Sequence, residues 1–405
     1  MKLPFEIRLR PTPSEGEKLL RANRVLEAEE AFVAEAAAQP RNPRPSLALG
    51  HIALMRDRLE SAEAFLADAI ARDPGCRDAH ELLAETHYRR NDFASAAPHE
   101  EAAGYGAMAA KLRSFDGRRP YDIQGPDEVR LPFVSTDPLP ILTARVNGGP
   151  EARFLLDTGG GEVILDRTYA GSIGLPDFGG RRGAFAAGKK AAIGQSAIDS
   201  LTLGKLTVSD VPVTVVDIGP LGASIGEPAL AGIIGTVLLY RFLATIDYPG
   251  GALVLRRKGS SAPKAAPGAV ELPLLLADDH YMLAEASLND GPPLLCFVDT
   301  GLAGGAFTCP ASTLKAADIA VSARPQGTGL GGGGRISFRL FDVGSLAMGA
   351  ARRENLQGVL GPFPPALEHE YGVRIGGLVS HGYLCAYAAT FDFERMVLRL
   401  EPAAA

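Results

Sequence analysis

The sequence predicts a multidomain chain in which an all-α N-terminal region of helical repeats is followed by an all-β region of two duplicated lobes. Three observations carry this prediction. The segment from Ser14 to Gly104 repeats with a period of 34, Asp-Thr-Gly occurs twice in matching surroundings, and the 405-residue chain holds 47 Gly and 30 Pro. That glycine and proline content favours a turn-rich β region after the helices, and the length allows several hydrophobic cores.

The helical region is predicted from the spacing of small and apolar residues. Two sets of positions keep the 34-residue step: Ala28, Ala62 and Ala96, and Val25, Leu59 and Phe93. Small residues at such a period allow paired helices to cross closely, and the segment resembles tetratricopeptide (TPR) repeats. A plain helical hairpin bundle is the alternative. In either case we expect packing or the binding of a protein partner, and no chemistry.

The β region is predicted from two apolar runs that each end in Asp-Thr-Gly, at Asp157 and at Asp299. Each run reads as a buried strand that leads into a tight loop with a carboxylate at its tip. The two aspartates are 142 residues apart. Two later pairs of landmarks keep nearly the same offset: Gly235 and Gly377, and Thr245 and Thr390. Landmarks in the same order at a nearly constant offset indicate an internal duplication.

This pattern resembles the aspartic peptidases, and each half is similar to the retropepsin-like type of bacterial aspartyl proteases, over about residues 131–400. The resemblance implies an aspartic protease fold with two lobes that each supply one catalytic carboxylate. The residues that it implies for the site are Asp157 and Asp299 as the catalytic pair, Thr158 and Thr300 as ties between the loops, and Gly159 and Gly301 where the backbone passes close to the substrate.

The chemistry of such a pair follows from electrostatics. Two carboxylates a few ångströms apart cannot both ionise easily, so Asp157 and Asp299 are expected to share one proton and to activate a water molecule. In many aspartic peptidases a hydroxyl residue follows Asp-Thr-Gly, whereas this chain has Gly160 and Leu302 there. Since neither side chain can donate a hydrogen bond to a carboxylate, we expect raised pKa values for the pair and activity in the weakly acidic range.

Two glycine-rich segments predict flaps over the cleft. The expected substrate-contacting residues are Gly188, Gly194 and Gln195 in the first half, and Gly329, Gly331 and Gly332 in the second. The second segment formally contains G-x-G-x-x-G, but an alternating strand follows it where a nucleotide site would need a helix. A flap is therefore the better interpretation, and an extended polypeptide substrate could hydrogen-bond to it.

Composition shifts place the domain boundaries. We expect a helical domain over residues 1–115, a linker over 116–127, a first lobe over 128–260, an interlobe linker over 261–268 and a second lobe over 269–402. Residues 2–9 alternate apolar and polar side chains, which predicts a strand before the helices. The composition break also predicts that a chain beginning near Gly125 folds by itself and cleaves short peptides.

Several classes of function are disfavoured. The net charge of −6 argues against nucleic-acid partners, no apolar run is long enough to span a membrane, and the cysteines and histidines show no metal-site spacing. We expect no metal and no cofactor. The sequence leaves undecided whether Cys296 and Cys309 form a disulfide. The first thirty residues lack a signal-peptide core, which predicts a cytoplasmic protein, or a periplasmic or secreted one if a leader has been removed.

The sequence thus predicts a monomeric aspartic endopeptidase with a polypeptide substrate and a helical domain that can bind a protein partner. One alternative is a catalytically weak or inactive protein that keeps the protease fold and serves as a peptide-binding scaffold. Another is a zymogen-like enzyme whose N-terminal segment blocks the cleft.

Overall fold

The structure is a computed structural model that describes residues 13–185, 188, 190–260, 263–321, 326–331 and 334–403. The strand predicted over residues 2–9 lies outside the described residues. The N-terminal region consists of helices, which are α1 (Glu15–Arg21), α2 (Val25–Ala38), α3 (Pro43–Met55), α4 (Leu59–Arg72), α5 (Arg77–Arg89), α6 (Phe93–Ala102) and α7 (Gly106–Arg113).

Local sequence explains where these helices begin. Ser14 and Glu17 form a capping box before α1, since each side chain accepts a hydrogen bond from the other residue's backbone N–H. α3 begins with Pro43 after the capping residue Asn42, and the Asp92 carboxylate accepts a hydrogen bond from the backbone of Ser95 at the start of α6. These side chains satisfy backbone N–H groups that have no partner within the helix.

The helices repeat with the predicted period. The second helix of each hairpin, α2, α4 and α6, begins 34 residues after the previous one. The turns before them contain residues with φ of 60°, 55° and 62°, which are Asn23, Asp57 and Asn91. The three alanines predicted at helix crossings are fully buried. The predicted fold class, helical repeats followed by duplicated β lobes, is confirmed, while the resemblance to TPR repeats stays a prediction.

The first lobe follows a short strand, β1 (Asp122–Gln124), which pairs with β8 (Leu206–Val216) although the segment was expected to be a linker. The strands of the first lobe are β2 (Glu128–Pro132), β3 (Ile141–Val146), β4 (Glu151–Leu156), β5 (Val163–Asp166), β6 (Gly180–Ala184), β7 (Lys190–Leu203), β8 (Leu206–Val216), β9 (Leu230–Ile234), β10 (Phe242–Asp247) and β11 (Ala252–Arg257). Its helices are short: α8 (Arg167–Ser172), α9 (Gly219–Ser224) and α10 (Thr236–Leu239).

The second lobe repeats this order. Its strands are β12 (Val270–Pro273), β13 (Leu275–Leu276), β14 (Met282–Leu288), β15 (Pro293–Asp299), β16 (Phe307–Thr308), β17 (Gly327–Gly331), β18 (Gly334–Met348), β19 (Ala351–Leu360), β20 (Ile375–Ser380), β21 (Tyr387–Asp392) and β22 (Val397–Pro402). Its α-helices are α11 (Ala311–Ala316) and α12 (His381–Leu384), and two 3-10 turns lie at Asp278–His280 and Pro365–Glu368.

Strand pairing shows the duplication directly. In the first lobe the sheet order is β1-β8-β5-β9-β4-β3-β7-β6, and in the second it is β13-β14-β15-β20-β16-β19-β18-β17. In both, the strand before Asp-Thr-Gly runs parallel to a later strand of the same lobe: β4 to β9, and β15 to β20. A third sheet, β12-β22-β21-β10-β11-β2, joins the lobes.

The pseudo-twofold axis passes through this shared sheet. Thr245 on β10 lies directly opposite Thr390 on β21. Their hydroxyl oxygens are 2.8 Å apart, and both side chains are buried. The two landmark threonines of the sequence are therefore neighbours across the axis.

The helical region packs against both lobes. One hydrophobic core combines Tyr88, Phe93 and Phe115 with the β strands, and another combines helical residues such as Phe32 with Phe297 of the second lobe. Polar contacts cross the same interface: Asn23 exchanges two hydrogen bonds of 2.8 Å with the backbone of Arg374. The helices and lobes therefore share their cores, which the sequence did not indicate.

Candidate active site

The two Asp-Thr-Gly segments follow buried central strands. β4 ends at Leu156, just before Asp157, and its last three residues are fully buried. β15 ends at Asp299, which lies opposite Ser380 of β20. Because both strands are hydrogen-bonded on two sides within their sheets, the loops that follow them start from rigid positions.

Reciprocal threonine hydrogen bonds join the two loops. The backbone N–H of Thr158 donates to Thr300 Oγ1 at 3.1 Å, and the backbone N–H of Thr300 donates to Thr158 Oγ1 at 3.0 Å. Each hydroxyl in turn donates across the axis, Thr158 to the carbonyl oxygen of Val298 at 2.7 Å and Thr300 to that of Leu156 at 2.9 Å. Both threonines are buried, so the four bonds lock the loops in one relative geometry.

The hydrogen bonds of Thr158 and Thr300 hold the two loops so that Asp157 and Asp299 lie close together. Their carboxyl groups lie next to each other, each packed against the glycine of the opposite loop, and both residues line one cleft and are half-buried. Asp157 Oδ1 also accepts a hydrogen bond of 2.8 Å from the Gly159 N–H, and Asp299 Oδ1 accepts one of 2.7 Å from the Gly301 N–H. These backbone donors fix the orientation of each carboxyl plane.

Burial and proximity set the protonation of this pair. Desolvation raises the pKa of Asp157, and it raises the pKa of Asp299 well above its ordinary value. The neighbouring charge of Asp157 adds to the rise for Asp299. Since a second ionisation would place two negative charges in contact, the arrangement favours a pair that holds one proton.

Gly159 and Gly301 leave room for the opposite carboxylate. A Cβ atom at Gly159 would lie 2.7 Å from Asp299 Cγ, and one at Gly301 would overlap the carboxylate of Asp157. Real Cβ atoms do not approach other atoms so closely. The resemblance implied a close approach to substrate at these glycines, and the geometry adds a second reason for them: any side chain would separate the aspartates.

We expect Gly301→Ala to lower kcat/KM by about 100-fold, because displacing a reacting group by about 1 Å costs that much. The assay is hydrolysis of a short peptide by purified protein, with thermal unfolding measured in parallel. Gly171→Ala is the matched control, since a Cβ at this exposed helical position meets no atom within 4 Å. Unchanged kcat/KM in Gly301→Ala would show that the contact with Asp157 is not needed.

The pair lies in a cleft of about 310 Å³ that both lobes line. The β6–β7 hairpin contributes Phe185 and Gln195, and the β17–β18 hairpin contributes Leu330 and Ile336. Leu302 also lines the cleft. Each of the two glycine-rich segments thus belongs to a hairpin that reaches the cleft.

The expected flap residues have different positions in these hairpins. Gln195 lines the cleft, whereas Gly188, Gly194 and Gly329 are described in or beside the hairpin strands and do not line it, and Gly331 is the last residue of β17. Gly332 lies outside the described residues. Among the described residues the buried side-chain oxygen of Gln195 has no hydrogen-bond partner. A bound substrate could supply that partner.

Residues 142–237 match the aspartyl protease family. The matched segment runs from β3 into α10 and includes Asp157. The crystal structure of a retropepsin-like aspartic protease from Rickettsia conorii matches at 20% identity over 34% of this chain and 95% of that chain, with a TM-score of 0.24. That likeness adds no argument to the fold, which rests on the strand pairing above. No curated protein matches the sequence significantly.

The family match supports a protease-like, hydrolytic function for the β region that contains residues 142–237. The match itself ends before the second Asp-Thr-Gly. The second lobe is related to the first by the strand order and the threonine bonds described above.

The helical region lines the same cleft, which sequence reasoning missed. Its contributions are Glu85, Tyr88, Tyr105 and Met108. Glu162 of the first lobe lines the same cleft, and the Tyr88 hydroxyl donates a hydrogen bond of 2.7 Å to it. The 34-residue period shows which helical positions pack within the repeat, but it carries no signal for a face that meets another domain. Glu162 follows Asp157 by five residues, but no sequence pattern marked it as a contact of the helical region.

Other features of the described residues bear on cofactors and membranes. No group of three or more His, Cys, Asp or Glu side chains in the described ranges is arranged to hold a metal ion. None of the described helices is long and apolar enough to cross a bilayer. Cys296 and Cys309 are both free and buried, so the disulfide left open by the sequence is not formed.

Proposed function

We propose that this chain is an aspartic endopeptidase that hydrolyses peptide bonds with a water molecule held between Asp157 and Asp299. The observation that carries the proposal is the contact of these two carboxyl groups at the floor of a cleft, on loops locked by Thr158 and Thr300. The ionised carboxylate would accept a proton from the water, and the protonated one would donate to the substrate carbonyl oxygen.

The cleft is suited to an extended polypeptide. Two β-hairpins border it, and an extended chain can pair with a hairpin through backbone hydrogen bonds. The unpartnered carboxamide oxygen of Gln195 is a candidate acceptor for a substrate N–H. Apolar side chains that line the cleft, such as Phe185 and Ile193, would contact substrate side chains.

We also propose the domain boundaries read from the sequence, with lobes over residues 128–260 and 269–402, and a monomer in which the lobes take the place of two subunits. The helical region remains a candidate site for a protein partner. A catalytically inactive scaffold with the same fold is the competing proposal, and the shared-proton arrangement of Asp157 and Asp299 favours the enzyme.

The proposal is tested with a denatured protein mixture. The wild-type protein and Asp299→Asn are incubated with it side by side, and new peptide termini are identified by mass spectrometry. The endopeptidase proposal expects internal cleavage by the wild type alone. Equal product patterns in both samples would point to a contaminating protease, and binding of peptides without cleavage would favour the scaffold.

We expect a bell-shaped pH–rate profile with its maximum at roughly pH 5 to 6.5. Below the lower apparent pKa both carboxyl groups are protonated and no base remains, whereas above the upper one the shared proton is lost and no acid remains. Because burial raises the pKa values of both Asp157 and Asp299, the active window moves upward in pH. A maximum below about pH 3.5 would mean that other groups stabilise the ionised pair.

A further inference from the structure

The first aspartate loop ends at a buried, charged residue. Glu162 follows Asp157 by five residues, and its carboxylate accepts four hydrogen bonds. Lys111 Nζ donates to both oxygens, at 2.8 and 2.6 Å, the Tyr88 hydroxyl donates at 2.7 Å, and the Thr214 hydroxyl donates at 2.8 Å. Lys111 and Tyr88 belong to helices α7 and α5, so the helical region supplies three of these bonds.

The Lys111–Glu162 pair is charged although it is buried. The side chain of Lys111 is 0% exposed and that of Glu162 is 12% exposed. Burial acts to raise the pKa of Glu162, but the ion pair and hydrogen bonds with Lys111, together with those from Tyr88 and Thr214, outweigh it and lower the pKa. A buried ion pair gains little stability over apolar side chains of the same size, so its presence beside the cleft suggests a specific geometric role.

Within residues 300–305, all of which the structure describes, the second aspartate loop has no acidic side chain that could accept bonds as Glu162 does. The position that corresponds to Glu162, 142 residues later, is Gly304, which has no side chain to hold. The first loop also contains three consecutive glycines, Gly159 to Gly161, whose backbone has more conformational freedom than other residues have. The second loop also contains glycines, at Gly301, Gly304 and Gly305, so the two loops differ in the side chain at the position of Glu162.

We propose that Lys111 and Glu162 are positioning residues, through which the helical region holds the first aspartate loop where Asp157 meets Asp299. That the helical region holds the first aspartate loop is the structural part of this inference, and it rests on the contacts alone. That this placement matters for catalysis is the catalytic part, and it rests on the proposed peptidase function. The helical region thereby becomes a part of the active site, and anything that bound and shifted α7 would act on Asp157.

Hydrogen–deuterium exchange on the full chain tests the structural part. Lys111→Met keeps the side-chain length and removes the charge. We expect exchange to rise about tenfold in the segment 157–162 and to stay unchanged in the segment 299–304 of the second loop. Tyr240→Phe is the control, because it removes hydrogen bonds of 2.9 and 3.1 Å to Asp57 of the helical region without touching the loop. Unchanged exchange in 157–162, or an equal rise in Tyr240→Phe, overturns the inference.

The double variant Lys111→Met/Glu162→Gln distinguishes an effect on loop position from an effect on protein stability. Because it removes both charges, neither is left buried without its partner. We expect it to unfold within a few degrees of the wild type, yet to keep the faster exchange of segment 157–162. Its kcat should fall about tenfold with KM changed less than twofold, because the loss concerns the placement of a reacting group. Wild-type kcat in this variant would overturn the catalytic part. A wild type without peptidase activity would instead refute the proposed function, and the exchange result would still decide the structural part.

Discussion

Replacing either Asp157 or Asp299 by Asn should lower kcat/KM for a short peptide by at least about 10³-fold, because an amide can neither take the proton of the water nor share one with its neighbour. The change keeps the size of the side chain. The hydrogen bonds from Gly159 and Gly301 can still reach an amide oxygen, and the threonine bonds between the loops do not involve these side chains. Thermal unfolding should therefore change little.

The matched control is Asp199→Asn. Its carboxylate is 82% exposed and lies on the surface of the first lobe, so the same chemical change there should leave kcat/KM and the unfolding temperature near the wild-type values. Turnover close to the wild type in either Asp157→Asn or Asp299→Asn would refute the assignment of the pair.

Removing the helical region should have the largest effect on stability. A chain that begins near Gly125 would expose apolar surface of both lobes and leave Glu162 without Lys111. Each 100 Å² of apolar surface exposed in this way costs about 2.5 kcal/mol, against a total stability of about 5–15 kcal/mol for a typical domain. We expect the truncated protein to be insoluble or to unfold without a cooperative transition. Gel filtration detects the aggregation, and calorimetry detects the missing transition.

This expectation reverses the one drawn from composition, which suggested an independent protease region. The loss of a single contact between the helices and the lobes is not expected to make the protein insoluble or to abolish cooperative unfolding. Tyr240→Phe in the full chain, which removes only the hydrogen bonds to Asp57, should remain soluble and unfold cooperatively. A soluble truncated chain that unfolds cooperatively near the wild-type temperature would show that the lobes do not need the helices.

Local patterns explain why much of the fold could be predicted. Each Asp-Thr-Gly follows apolar residues that the structure buries in a strand, and a repeated pattern at a constant offset implies repeated structure. The offset of the landmark threonines was sufficient to place Thr245 and Thr390 in corresponding strands, and they lie opposite each other across the axis. The 34-residue period predicted the helical repeats for the same reason, because buried alanines recur at that spacing.

The interface between helices and lobes could not be read from the sequence. Lys111 and Glu162 are 51 residues apart, and both lie outside the 34-residue repeat of Ser14 to Gly104. A single lysine in a helix is usually solvated, so its burial against a carboxylate of another domain has no local signature. Likewise β1 lies between Pro120 and Gly125, where turn-forming residues suggested a linker, and only its pairing with β8 makes it a strand.

Every step of the proposed chemistry requires that Asp157 and Asp299 hold one proton between them. Carboxyl-carbon NMR of aspartate-labelled protein measures this directly, with the two signals assigned by their loss in the Asn variants. We expect the two carboxyl signals to titrate together in two steps, the upper one well above the usual aspartate pKa of about 3.9. Two independent titrations, each near that ordinary pKa, would contradict the shared proton and with it the proposed mechanism.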